Sequence, residues 1–169
     1  MSPLRRVAPL FPLVLLAGLA FVVAAAPARA RETERFVNAR EVAATERARD
    51  FLLDVPFFLK GEPHPPVART LSTLEVERTS SGALRSDATA CEAAFLDALR
   101  ILQEKARAAG GDALVDVVSI TRGVEYESAS AVRCVAGAVV VHVGLRAKVT
   151  VRGEPATSGS EGSETTPDE

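Results

Sequence analysis

SDATACEAAFLDALRILQEKARAAGGDALVDVVSIT, running from Ser86 to Thr121, decides the fold, because it holds one complete helix and the strand that follows it. Ser86 or Asp87 can cap the first amide groups, and Asp87 and Glu92 lie near the positive end of the helix dipole. Lys105 and Arg107 lie near the negative end, and Gly110-Gly111 supplies the left-handed residue that stops a helix. Cys91, Phe95, Ala98, Leu102, Ala106 and Ala109 recur at threes and fours, which places them on one narrow, alanine-rich face. Such a face lets a helix sit close to a sheet. After the glycines, Ala113 to Thr121 reads as a strand rich in Val and Ile.

Working toward the C-terminus, a polar stretch around Gly123 to Ala131 turns the chain and Val132 to Val151 runs extended. There Val139, Val141, Val143, Leu145, Ala147, Val149 and Val151 form one apolar face. The alternate face turns polar through His142, Arg146, Lys148 and Thr150, so the helix is expected on one side of the sheet only. Gly137 suits a bulge where the register shifts. Working toward the N-terminus, Val67 to Arg78 reads as a strand of weak alternation and Val55 to Leu59 as a short apolar strand. Glu62-Pro63-His64-Pro65-Pro66 forms a rigid loop between them, and Arg40 to Leu53 reads as one short helix. The expected architecture is α+β: a small antiparallel sheet packed on one main helix, about residues 86–110, within a single domain over 31–152.

The first thirty residues address the chain to export. Arg5 and Arg6 precede an uncharged run from Val7 to Ala26, and Pro27-Ala28-Arg29-Ala30 ends in the Ala-x-Ala pattern that signal peptidase accepts at Ala28 and Ala30. Residues 1–30 therefore read as a signal peptide. The run is long enough for an uncleaved anchor, which would be the membrane contact, although Pro9 and Pro12 weaken its helix. The residues after the arginine pair do not complete a twin-arginine signal. The expected location is periplasmic or secreted, and in such a compartment two cysteines with none left over predict one disulfide, Cys91 to Cys134. Cys91 falls in the first turn of the helix and Cys134 begins the strand expected beneath it. A redox-active pair is the alternative, but such pairs usually lie within two residues of each other.

Loss of residues 1–30 removes Arg5, Arg6 and Arg29 and no acid, moving the formal charge from -2 by three units to -5. Residues 153–169 carry Glu154, Glu161, Glu164, Asp168 and Glu169 and no base, and lack large apolar residues, so they read as a disordered acidic tail. The remaining domain is nearly neutral and has no electrostatic reason to bind nucleic acid.

Cys91-Glu92-Ala93-Ala94-Phe95-Leu96-Asp97-Ala98-Leu99, Leu102-Gln103-Glu104-Lys105-Ala106, Gly110-Gly111-Asp112-Ala113-Leu114-Val115-Asp116-Val117-Val118-Ser119 and Cys134-Val135-Ala136-Gly137-Ala138 resemble a group of small exported bacterial proteins labelled "excinuclease ATPase subunit". The helix, the turn into a strand and the paired cysteine are also similar to the domain of the Rcs stress-sensor outer-membrane lipoprotein and, more distantly, to the heavy-metal-binding domain family. The resemblance implies antiparallel strands packed on a main helix with a helix-to-strand disulfide; it implies no activity. An ATPase of the P-loop type needs Gly-x-x-x-x-Gly-Lys-Ser/Thr around the phosphates, and this chain has neither that motif nor a set of four zinc-binding cysteines. ATP is therefore no expected partner, and the label reads as a propagated one. No lipobox cysteine stands at the cleavage point, which departs from the stress sensor.

The remaining chemistry is sparse. Asp116 and Ser119 lie on a strand that could neighbour the one holding His142 and offer with it the residue types of a hydrolase triad, but the Gly-x-Ser-x-Gly elbow is missing. His64, between prolines, could ligate a metal weakly, yet two histidines with the thiols oxidised leave few soft ligands. No cofactor is expected. The residues favour a non-enzymatic binding or sensing module of the cell envelope, whose partner, an envelope protein or surface, docks on the polar sheet face or adds a strand at an edge.

Overall fold

The structure, a computed structural model, describes residues 32–153. The expected signal peptide, with Ala28 and Ala30, lies outside the described residues, as does the expected tail apart from Gly153. That glycine belongs to the fold, since its amide donates to the Pro66 carbonyl.

The main helix forms as its caps dictate. It runs Asp87–Ala108, with the Ser86 hydroxyl accepting from the Thr89 amide at 3.1 Å, and Gly110 follows at φ +76°. Its buried face is broader than the expected one: Ala90, Ala94, Leu99 and Gln103 join Cys91, Phe95, Ala98, Leu102 and Ala106. Ala109 is not on it; that residue is the exposed C-cap.

Among the described residues six strands make one sheet: β1 (Thr33–Asn38), β2 (Phe57–Leu59), β3 (Val67–Ser81), β4 (Ala113–Ser119), β5 (Ala131–Ala136) and β6 (Val140–Arg152). The strand β6 is the hub. Along one flank it pairs with β3 from end to end; along the other it pairs first with β5, at Val141 and His142, and then with β4, from Leu145 to Thr150. β1 extends the β5 end and β2 the β4 end. The sheet is mixed rather than wholly antiparallel, because β2 runs parallel to β4. A parallel pair needs a long crossover, and β3 with the main helix supplies it.

Several sequence expectations are corrected. The stretch 132–151 is two strands, not one: it folds into a hairpin in which the Gly137 amide donates to the Val140 carbonyl, so Gly137 lies in the turn and not in a bulge. The bulges fall in β3, near Ala68 and Leu71, and in β4 between Val115 and Val118, where Asp116 takes φ +51°. The bulge at Leu71 moves the inward face of β3 from odd to even positions, bringing Leu71, Leu74 and Val76 all toward the core. Strict alternation therefore reads weakly there. The segment 40–53 is two helices, α1 (Ala39–Ala43) and α2 (Glu46–Phe51), because the Thr45 hydroxyl accepts from the Ala48 amide and begins a new helix. The main helix is α3.

The core lies between α3 and the inward face of the sheet, with Phe95, Leu99, Leu102, Leu145 and Val149 fully buried. Each such side chain contributes about 2 kcal/mol through burial. On the outward face the chain after β4 crosses β6 at Gly144, where an added Cβ would lie 3.1 Å from the Ile120 carbonyl and the Thr121 amide nitrogen. The crossing turns through a 3-10 segment, Thr121–Gly123, and returns to bridge Tyr126 to Ser119. Among the described residues no helix is long and apolar enough to cross a membrane.

Candidate binding groove at the edge of the sheet

Cys91 and Cys134 are bonded as a disulfide, with Cα atoms 5.9 Å apart and both residues fully buried. The bond joins the start of α3 to β5 opposite Arg35 of β1, and so fixes the distance between α3 and this end of the sheet. Arg35 reaches Asp87 at the helix start, 3.5 Å away.

Among the described residues β1 is paired on one side only, with six residues in unbroken register against β5. The Ala39 amide donates to the Ser130 carbonyl, which sets the phase of the ladder. Val37 and Arg35 thus turn their main-chain groups toward β5, while Glu34, Phe36 and Asn38 turn theirs outward. Beyond that open edge is a groove of about 500 Å³, walled by residues 34–38, by Glu41 and Val42 of α1 and by Ala88 and Glu92 of α3. Residues from both faces of β1 line it, so the groove follows the edge of the strand rather than one face of the sheet.

The polar groups here divide into bound and unbound. The Glu34 carboxylate takes two hydrogen bonds from Arg133, whose amide donates to the Ser119 hydroxyl and whose guanidinium also donates to the Thr121 carbonyl at 2.9 Å. Arg133 is nearly buried and is satisfied at each of these contacts, so it clamps β1 to the crossing segment. Phe36 is 55% exposed and leans on Tyr126, ring centres 5.0 Å apart. Glu41 and Glu92 are exposed and make no ion pair among the described residues. The groove therefore offers outward main-chain donors and acceptors, one aromatic side chain and two free carboxylates.

The other surfaces are less open. On the outward sheet face Arg146 pairs with Glu125 at 2.6 Å and with Glu75 at 3.7 Å, Lys148 with Asp116 at 2.8 Å, and Lys60 with Glu127. The hydrogen bond from Arg146 holds the Glu125 carboxyl below its usual range, and that bond raises Arg146 in turn; the bond to Glu127 raises Lys60. That face neutralises itself. β3 is an exposed edge of fifteen residues; two bulges break its start, near Ala68 and Leu71, and along the regular part from Ser72 to Ser81 the charges of Glu75, Glu77 and Arg78 blunt it, as natural sheets do against unwanted pairing. β2 has only three residues.

The triad residues are not brought together. The Ser119 hydroxyl is buried on the Arg133 amide, Asp116 is held by Lys148, and His142 pairs across the sheet with Val135 and Thr79. The exposed His64 rests its ring against Phe58 and bonds the Pro65 carbonyl. Among the described residues no three His, Cys, Asp or Glu side chains gather as a metal site. Sequence reading missed both β1 and Arg133. Two charges in Thr33-Glu34-Arg35-Phe36-Val37-Asn38 mask its alternation, and the signal that remains is Phe36 and Asn38 on one face with Val37 on the other. The chain matches no protein-family model, no curated protein and no solved structure.

Proposed function

We propose that the protein is a non-enzymatic binding module of the cell envelope that takes an extended segment of a partner protein along the free edge of β1. The carrying observation is that β1 is a regular, unbulged edge opening onto a groove walled by two helices. Strand addition uses such an edge for main-chain hydrogen bonds and the adjacent groove for side-chain selection. Glu41 and Glu92 favour basic side chains at positions facing the helices, and Phe36 favours an apolar one on the opposite face. An internal disulfide is characteristic of oxidising compartments, in keeping with the export signal at residues 1–30 and a periplasmic or secreted location.

The test places a photo-crosslinking residue at Phe36 in the living source cell, with the same residue at Thr79 on the bulged edge as control. An adduct at position 36 is expected to map to an extended segment of one partner. A synthetic peptide of that segment should then protect the amides of Glu34, Phe36 and Asn38 from exchange. Phe36→Pro removes an outward N–H without touching the β5 ladder, and should abolish binding while leaving the fold intact. Equal labelling at positions 36 and 79, or binding unaffected by the proline, overturns the reading.

A further inference from the structure

Seven of the thirteen described arginines are paired. Arg35, Arg40, Arg100, Arg122, Arg133, Arg146 and Arg152 all meet carboxylates. Among the described residues Arg47, Arg49, Arg69, Arg78, Arg85 and Arg107 do not, and of these Arg47 and Arg85 meet from different elements with Arg78 nearby on β3. Arg47 on α2 and Arg85 on the β3–α3 turn line one hollow of about 140 Å³, together with Phe51, Asp97 and Ser80. Arg78 stands two residues before Ser80 on the same face of β3. Asp97 is the one carboxylate in the hollow and lies beyond ion-pair distance of either arginine.

Beside these cations the turn presents Leu84, fully exposed and in the left-handed region at φ +64°. A leucine is strained in that conformation, and nothing in the described fold uses the side chain it throws outward. Phe51, 38% exposed, adds apolar surface on the same hollow. Guanidinium groups fork onto phosphate oxygens, and an exposed apolar tip beside them matches the boundary between headgroups and acyl chains.

We infer that Arg47, Arg78, Arg85 and Leu84 form a docking surface for an anionic bilayer, the arginines receiving lipid phosphates and Leu84 entering the headgroup boundary. The surface shares no residue with the β1 groove, so the two can be occupied together and fail independently.

The test is vesicle flotation of the oxidised protein as recovered from the envelope, comparing neutral phosphatidylcholine with vesicles containing roughly one third phosphatidylglycerol. The readout is the ratio of binding to the two vesicles, which an apolar leader would leave unchanged. Each arginine within reach of the surface is worth about fivefold, so Arg47→Ala, Arg78→Ala and Arg85→Ala together should lower anionic binding by about a hundredfold. Arg69→Ala with Arg107→Ala removes two other unpaired arginines and should change it far less. Leu84→Ser should weaken binding about tenfold at any salt, whereas raised salt should weaken the arginine contribution. None of these residues loses an ion pair, and unchanged circular dichroism and unfolding midpoints will show that the variants fold. Equal binding to both vesicles, or equal losses from the two arginine sets, overturns the inference. So does a response of Arg47 and Arg85 to inorganic phosphate without vesicle binding, which would mark a site for free phosphate.

Discussion

Gln103→Glu tests how the segment between α2 and β2 is held to the main helix. Gln103 is 2% exposed on the buried face of α3. Its side-chain oxygen accepts from the Leu53 amide at 2.9 Å, and its nitrogen donates to the carbonyls of Leu53 and Val55 at 3.0 and 2.8 Å. Glutamate keeps the acceptor but turns an oxygen toward two carbonyls. Burial and that repulsion raise its folded pKa above the unfolded value of about 4.3. Below the unfolded pKa the carboxyl is protonated, its O–H can serve one carbonyl, and the cost is about 1 kcal/mol for the bond still missing. As pH rises through the folded pKa that contribution is lost, because the native state then binds the extra proton that the unfolded state has already released. Two buried carbonyls without donors bring the loss to roughly 3 kcal/mol on the upper plateau. Urea unfolding of the oxidised protein from about pH 4 to 8 reads this directly. Gln103→Met is the control, since it loses the same hydrogen bonds without a titrating group. If the Glu and Met variants run parallel across that range, the amide is not the lock described here.

Other expected outcomes are as direct. Cys91→Ala with Cys134→Ala opens a loop of 43 residues and should cost about 4 kcal/mol by loss of the chain-entropy constraint. With a slope of about 2 kcal/mol per molar, the urea midpoint then falls by about 2 M, and a reducing agent should act only on the wild type. Gly144→Ala sets a Cβ against the backbone at Ile120 and Thr121 and should cost about 1–3 kcal/mol; an unchanged midpoint would mean that the crossing segment moves freely. Burial pulls the Glu62 carboxyl upward, but hydrogen bonds from Arg40 and the Leu59 amide outweigh it and leave the pKa lowered. Its contribution is present above the unfolded pKa and is lost as pH falls through the folded one, so Glu62→Gln should make the acid limb below about pH 5 shallower.

The parts of the fold legible in the sequence are those whose signals are local. Ser86 and Gly110 bound α3 because caps act within one turn, and the apolar alternation of Val141 to Val149 appears because β6 is regular and buried on one face. The two cysteines were legible from their number. What escaped depends on distant partners. The parallel placement of β2 needs β4, with Phe57 paired to Leu114, and the inward face of β3 shifts at bulges that no composition announces. Helix and hairpin breaks at Thr45 and Gly137 were hidden by favourable residues on both sides. Of the groove, Cys91 and Glu92 were singled out in advance, the one as a disulfide partner and the other for its place at the helix start, neither for binding. The β1 edge is defined by its pairing with β5 and by what it lacks on the other side, and an absence of pairing leaves no trace in residue spacing.

The hub position of β6 also sets an order of events. Its hydrogen-bonded partners, β3, β4 and β5, all precede it in the chain, and the longest ladder joins residues some sixty to eighty positions apart. Until residues 140–152 have left the ribosome, those earlier strands have no common strand to assemble on, and the domain stays open. Such non-local pairing slows assembly further. The Cys91–Cys134 cross-link follows the same order, since its two halves come within reach of each other only when α3 and β5 have both settled against this last strand.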